Sequence, residues 1–145
     1  MDYLENLFGL REKCAVVIGG TGELCGAMAE GLAGAGAYVY LVGRNKDKAE
    51  SRLEEIRKID GQGEFIPCDV SQKEELEKLR DQVLEKHPSI DVLVNGAGIN
   101  SPTPFLEISE EEFDRILDVN LKAVLLSCQT FGKAMLDHGK GGSII

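Results

Sequence analysis

Five places in this sequence hold residues whose types and spacing could do chemistry. The first is Gly19-Gly20-Thr21-Gly22-Glu23-Leu24, which follows the apolar run Lys13-Cys14-Ala15-Val16-Val17-Ile18. Glycine allows a tight turn and close approach of backbone to a ligand. A strand, a glycine turn and a helix in that order let backbone N–H groups and a helix N-terminus meet a pyrophosphate. The same turn also serves where a helix only packs on a sheet. The second place is Gly43-Arg44-Asn45, after the run Ala37 to Val42. An acid at such a strand end reads a ribose 2′-hydroxyl, whereas an Arg accommodates a 2′-phosphate. Gly43 stands where the acid would be, so Arg44 favours NADP(H) over NAD(H), unless it is an ordinary solvated Arg.

Asp69-Val70 directly follows the apolar segment Glu64 to Cys68. An Asp there is a ligand contact or a turn residue. Ser71 with Glu74 has capping-box spacing, which leaves Asp69 free for a ligand. Asn95-Gly96-Ala97-Gly98 follows the run Ile90 to Val94, at a strand end of the kind where open α/β sheets bind ligands. The fifth place is Asn120. With Ile116 and Val124 it recurs at helical spacing on an otherwise apolar stripe, where an unpaired buried amide costs on the order of 1–3 kcal/mol. It is a satisfied core Asn or a working group.

Other chemistries find little support. The four cysteines, Cys14, Cys25, Cys68 and Cys128, are far apart and there are two histidines, so no metal-ligand spacing is present and no metal is expected. Well-separated cysteines suit a reduced, cytoplasmic protein. His87 precedes a proline and His138 falls in a last helical turn, both structural readings. A formal net charge of −9 repels phosphate backbones, so nucleic acid is an unlikely partner class. No apolar run approaches the ~20 residues of a spanning helix, and Met1-Asp2-Tyr3-Leu4-Glu5 has no basic leader signature.

The elements that must position these residues alternate. Helices are expected from Leu24 to Ala35 (Leu24, Met28, Leu32 and Ala35 at helical spacing), Lys46 to Ile59 and Ser71 to His87. A long fourth helix is expected from Ser109, with Glu112 completing a second capping box, to about Asp137. Strands lie between them, and Ser143-Ile144-Ile145 reads as the start of a fifth. Such alternation argues for an α/β, doubly wound parallel sheet. With 43% apolar residues in 145, the chain suits one domain, here truncated at the start of its fifth strand.

Residues 14–44, Asp69, Asn95-Gly96-Ala97-Gly98 and Asp118-Val119-Asn120-Leu121-Lys122 together, and in this order, resemble the short-chain dehydrogenase/reductase family. Ile18 stands for its usual Thr, Gly19 matches, Gly22 matches a variant spacing, Glu23 replaces a common second Gly and Cys25 the third. The resemblance implies a single NAD(P)-binding Rossmann-type domain over residues 1–145, incomplete at its C-terminal end. It implies a cofactor site at Gly19, Gly20, Thr21, Gly22, Glu23, Leu24, Arg44, Asn45, Asp69, Val70, Asn95, Gly96, Ala97 and Gly98. Within it, Asp69 would meet the adenine, and the 95–98 segment would support the central strand and line the groove. Asn120 would be the catalytic-site residue, holding a water in a proton relay.

The family's catalytic Ser and Tyr-x-x-x-Lys are absent: Tyr3, Tyr38 and Tyr40 have no Lys four residues on. The implied function is NAD(P)-dependent hydride transfer on a carbonyl or alcohol, with this chain inactive alone and prone to homo-oligomerise. The helix segment Gly26 to Leu32 looks like members acting on sugar acids such as mannonate or fructuronate. A non-catalytic NADP(H)-binding regulatory module is the alternative. A methyltransferase is disfavoured by Gly43-Arg44, where that class usually carries an acid.

Overall fold

In the computed structural model, which describes residues 3–145, the short β-branched runs become strands β1 (Cys14–Ile18), β2 (Tyr38–Gly43), β3 (Gln62–Pro67), β4 (Val92–Asn95) and β5 (Ser143–Ile144). They form one sheet in the order β3-β2-β1-β4-β5, with every neighbouring pair parallel. This is a Rossmann-like α/β sheet. Its register brings the carboxyl ends level: Ile18 lies opposite both Val42 and Asn95, and Gly43 opposite Pro67. The site residues after those strands therefore share one edge. Pro67 ends an outer strand, where its missing N–H costs no ladder bond.

Helices cover both faces because β1 is buried along its whole length, as expected of a central parallel strand. On one face α2 (Glu23–Gly34) and α3 (Lys46–Lys58) pack Ala29, Ala33, Leu53 and Ile56 on Ala15, Val17, Val39 and Leu41. On the other, α4 (Lys73–Lys86) and α6 (Ala123–Asp137) bring Leu76, Leu79, Val83, Phe131 and Met135 against Val16, Tyr40, Val42 and Leu93. A short helix, α1 (Tyr3–Phe8), precedes the sheet. The part of the leader reading that rests on Met1 and Asp2 lies outside the described residues. No helix among the described residues is long and apolar enough to cross a membrane.

Four local expectations need correction. The inward face of α2 is Cys25, Gly26, Ala29 and Ala33, one residue on from the stripe expected, and Leu24 and Met28 are exposed. Small residues face the sheet because they let the helix approach closely, and the large ones are displaced outward. Ser71 does not cap α4, whose first turn follows Gln72 without a side-chain cap. Instead the Ser71 N–H and hydroxyl both donate to Asp69 Oδ1, at 3.1 and 2.7 Å. The Ser109 box is half formed: Ser109 Oγ accepts the Glu112 N–H at 3.2 Å, while the Glu112 carboxylate accepts from Ser101 Oγ at 2.6 Å. The long helix is interrupted. After α5 (Glu110–Leu117), residues Asp118–Lys122 form a π-helical turn in which the Ala123 N–H reaches back to the Asp118 carbonyl. The extra residue rotates Asn120 off the Ile116–Val124 stripe, leaving it exposed.

Candidate functional site

The glycine turn is shaped by its collisions. Gly19 has φ +77°, and a Cβ there would lie 2.6 Å from the Gly96 carbonyl group. Its N–H donates to the Val42 carbonyl at 2.8 Å, which ties the turn to β2. Gly20 is buried beneath, where a Cβ would meet Leu41 and the Val17 carbonyl at 2.9 Å. Gly22 then starts α2 with no side chain capping it, so the first backbone donors of the helix face outward for an anion. Across the turn, a Cβ at Gly96 would overlap Cys25 Sγ. The Cys at that helix–sheet contact and the glycine opposite it are one packing unit.

These contacts leave a groove of about 240 Å³ along the carboxyl edge. Of the residues named from sequence, Gly19, Thr21, Gly22, Arg44, Asp69, Val70, Gly96, Ala97 and Gly98 line it, together with Ile18, Val42, Gly43, Cys68, Ile99 and Val119. Glu23, Leu24 and Asn95 line a second hollow across the turn, with Cys25, Met28 and Ile145. Asn45 lies in neither hollow and caps α3, its Oδ1 accepting the Lys48 N–H at 2.9 Å. Asn95 is a structural tie: its Oδ1 accepts from Ser127 Oγ, and its amide nitrogen lies 3.4 Å from the Ile145 carbonyl.

Asp69 is less free than its sequence context implied. The Ser71 hydroxyl and N–H on its carboxylate hold its pKa below the usual value against the opposing effect of burial, and the Arg44 charge adds to the lowering. Its own N–H donates to Glu75 Oε2 at 2.6 Å. Arg44 and Asp69 thus bring opposite charges to the lining of the same groove. Cys68 is inert by contrast, since burial and the charges of Glu75 and Asp69 push its thiol to about 12.

Asn120 clamps the loop after β4. Its Oδ1 accepts the Ile99 N–H at 2.8 Å and its amide donates to the Ile99 carbonyl at 2.9 Å. Both amide functions are satisfied without burial, and Ile99, itself a groove residue, is fixed. From sequence, Ile99 stands at the start of the loop to Phe105 that could touch substrate, and Val119 stands within the Asp118–Lys122 motif. Neither they nor Cys68 are assigned from sequence to the cofactor groove. Nothing in their types marks them as groove residues, and Val119 reaches the groove from within the π turn. The apolar floor of Ile18, Val42, Val70 and Val119, the charges of Arg44 and Asp69 and an uncapped helix end fit a dinucleotide. The absence of any Cβ at Gly19 and Gly96 lets the glycine turn pack directly on the segment after β4, so that both line the same groove.

The family model for short chain dehydrogenases matches residues 13–145. The chain belongs to this family. The short-chain dehydrogenase chain is 33% identical over 135 residues to a 3beta-hydroxysteroid dehydrogenase of Mediterraneibacter gnavus, covering 92% of this chain and 48% of that protein. A short-chain type dehydrogenase/reductase from Mycobacterium marinum superposes with a TM-score of 0.92 at 35% identity, covering 99% of this chain and 58% of that one. A metagenomic short-chain oxidoreductase solved in complex with NADP gives a TM-score of 0.86 at 34% identity, covering 93% and 61%. The short-chain dehydrogenase chain spans about half the length of the curated relatives it matches. The expected α/β parallel-sheet fold class is met.

Proposed function

We propose that this chain forms the cofactor-binding part of an NAD(P)-dependent oxidoreductase that moves a hydride between a nicotinamide and a carbonyl or alcohol substrate. The observation that carries this is the groove along the carboxyl edge, which Gly19, Thr21, Gly22, Arg44, Asp69 and Gly96 line together beside the uncapped start of α2. The pyrophosphate would rest on Gly19, Gly20, Thr21, Gly22 and the first turn of α2, with Glu23 and Leu24 at its outer side. Arg44 would take a 2′-phosphate, Asn45 would hold the start of α3 beside it, and Asp69 and Val70 would border the adenine. Asn95, Gly96, Ala97 and Gly98 would form the opposite wall. When bound, the nicotinamide supplies or accepts the hydride.

Asn120 is the residue of this chain nearest to catalysis in this reading. By fixing Ile99 it sets the loop that borders the reacting end. Neither Tyr38 nor Tyr40 serves as the acid/base, since both lie on β2, where burial first, and then Glu64, raises both hydroxyl pKa values. The chain alone therefore binds cofactor without turnover. The Gly26–Leu32 resemblance keeps a sugar acid as the substrate class, in a cytoplasmic homo-oligomer.

The test is calorimetric titration of the chain with NADPH and NADH. NADPH is expected to bind more tightly, and Arg44→Glu to cost it roughly tenfold or more while changing NADH affinity little. Tighter NADH binding would reverse the cofactor assignment. Binding of neither would remove the reading.

A further inference from the structure

Glu23 is the first residue of α2, at the helix end where the preceding proposal seats a diphosphate. An acid in a first turn suits the helix dipole, but a second anion at the same end is repelled by it. The structure shows what faces that carboxylate. Arg52 of α3 lies across α2, its Nη1 donating to Glu30 Oε1 at 2.5 Å. Its Nη2 lies 3.5 Å from Glu23 Oε2 and 3.5 Å from the Gly22 carbonyl. Gly26 makes the room, because a Cβ there would overlap the Arg52 guanidinium. The Arg52 side chain is largely enclosed and that of Glu23 is fully exposed. Glu30 is the fixed anchor, and Glu23 is the partner free to swing.

We infer that Arg52 is a positioning residue for the cofactor pyrophosphate: anchored by Glu30 over Gly26, it faces the Glu23 carboxylate from α3 and offsets its negative charge at the start of α2. The inference rests on the cofactor-binding reading above. It explains how a turn carrying Glu23 in place of a glycine still accepts a diphosphate. It also gives Gly26 a role in seating a side chain, separate from any ligand contact. An exposed pair of this kind adds little to stability, so a thermal melt separates an effect on binding from one on folding.

The experiment is a double-mutant cycle on the 145-residue chain, titrated with NADPH at low salt, with thermal melts to confirm folding. Arg52→Gln is expected to weaken binding about five- to tenfold while Glu23 is present. In the Glu23→Gln background the same change costs less than about threefold, the remaining long-range charge effect. If Arg52→Gln does not fold, the same cycle is run with Arg52→Lys, which keeps the ion pair to Glu30 and loses the reach to Glu23. Equal losses in both backgrounds, or no loss in either, overturn the inference and leave the cofactor reading standing. A native chain that binds neither NADPH nor NADH removes both; one that binds only NADH is carried through the same cycle with NADH.

Discussion

On the flank of the sheet formed by β1, β2 and β3, strands pair over five and six positions; on the β4–β5 flank they pair over four and two. The first flank ends in backbone that admits no side chains at Gly19 and Gly20, and α2 and α3 close over it with alanines, Leu53 and Ile56. Beside the second, α5, the π turn and the start of α6 present Phe113, Leu117, Leu121 and Leu125 to solvent. One flank has its apolar surface covered from within the chain and carries the groove. The other joins the core through the inner side of α6 and leaves its outer side bare. Shape at the first is fixed by collisions, whereas at the second it is fixed by burial of a few large side chains.

The largest effect should come from cutting the tie between the two. Phe131 on α6 is fully buried among the residues of the α4–α6 face. Phe131→Ala should cost about 3–5 kcal/mol in urea unfolding, from lost transfer energy and the cavity left behind. Domains of this kind have only about 5–15 kcal/mol in total, so a large unfolded fraction is expected. A loss under about 1 kcal/mol would mean that α6 is not anchored by its inner face, and the comparison of flanks would fail.

The next effect isolates the first flank. Gly19→Ala must hold an L side chain at positive φ with its Cβ against the Gly96 backbone. A stability loss of about 1–3 kcal/mol is expected, together with loss of NADPH binding in the same titration. Gly31→Ala is the contrast, since a Cβ at Gly31 meets nothing within 4 Å on the exposed side of α2. It should stabilise by about 0.4–1 kcal/mol and leave binding alone. Equal behaviour of the two variants would show that the turn is not collision-limited.

Acid tests the seam between the flanks. Asp91, just before β4, accepts from Lys13 Nζ at 2.8 Å and from the Cys14 N–H at 3.0 Å, joining β4 to β1. Burial opposes its ionisation, but the Lys13 ammonium and the Cys14 N–H outweigh that and hold the carboxyl below its usual pKa. Because the folded value is the lower one, this contribution is complete above the unfolded pKa, about 4. It is lost as pH falls through the folded value. Asp91→Asn should cost on the order of 1 kcal/mol at neutral pH and flatten the stability curve below about pH 4. An unchanged acid limb would assign it to other carboxylates.

What sequence could read follows the same division. Strand runs, glycine turns and the alternation of elements are local signals, and they were legible, as were nine of the groove residues. The face of α2 was misjudged because periodicity favours large residues such as Leu24 and Met28, while close packing selected Cys25, Ala29 and Ala33. Asn120 was placed on a regular helical stripe, and a single inserted π turn is invisible to a period of 3.6. The cap spacing of Ser71 and Glu74 implies a free Asp69. Only the folded chain shows Ser71 turned back onto Asp69.

The smallest effect on stability should accompany the clearest change in assembly. Leu121 and Leu125 are 65% and 56% exposed and lie one helical turn apart on the bare side. Contiguous apolar surface of this sort favours association, and the proposed homo-oligomer would place it between copies. Leu121→Glu with Leu125→Glu should shift unfolding by no more than about 0.5 kcal/mol per site. Light scattering should show oligomers of the native chain converting to monomers. A native chain that already scatters as a monomer would leave the second flank bare by nature and the homo-oligomer without support. Oligomers that persist in the double variant would move the contact elsewhere, with the exposed Phe105–Leu106 pair the next apolar surface to test.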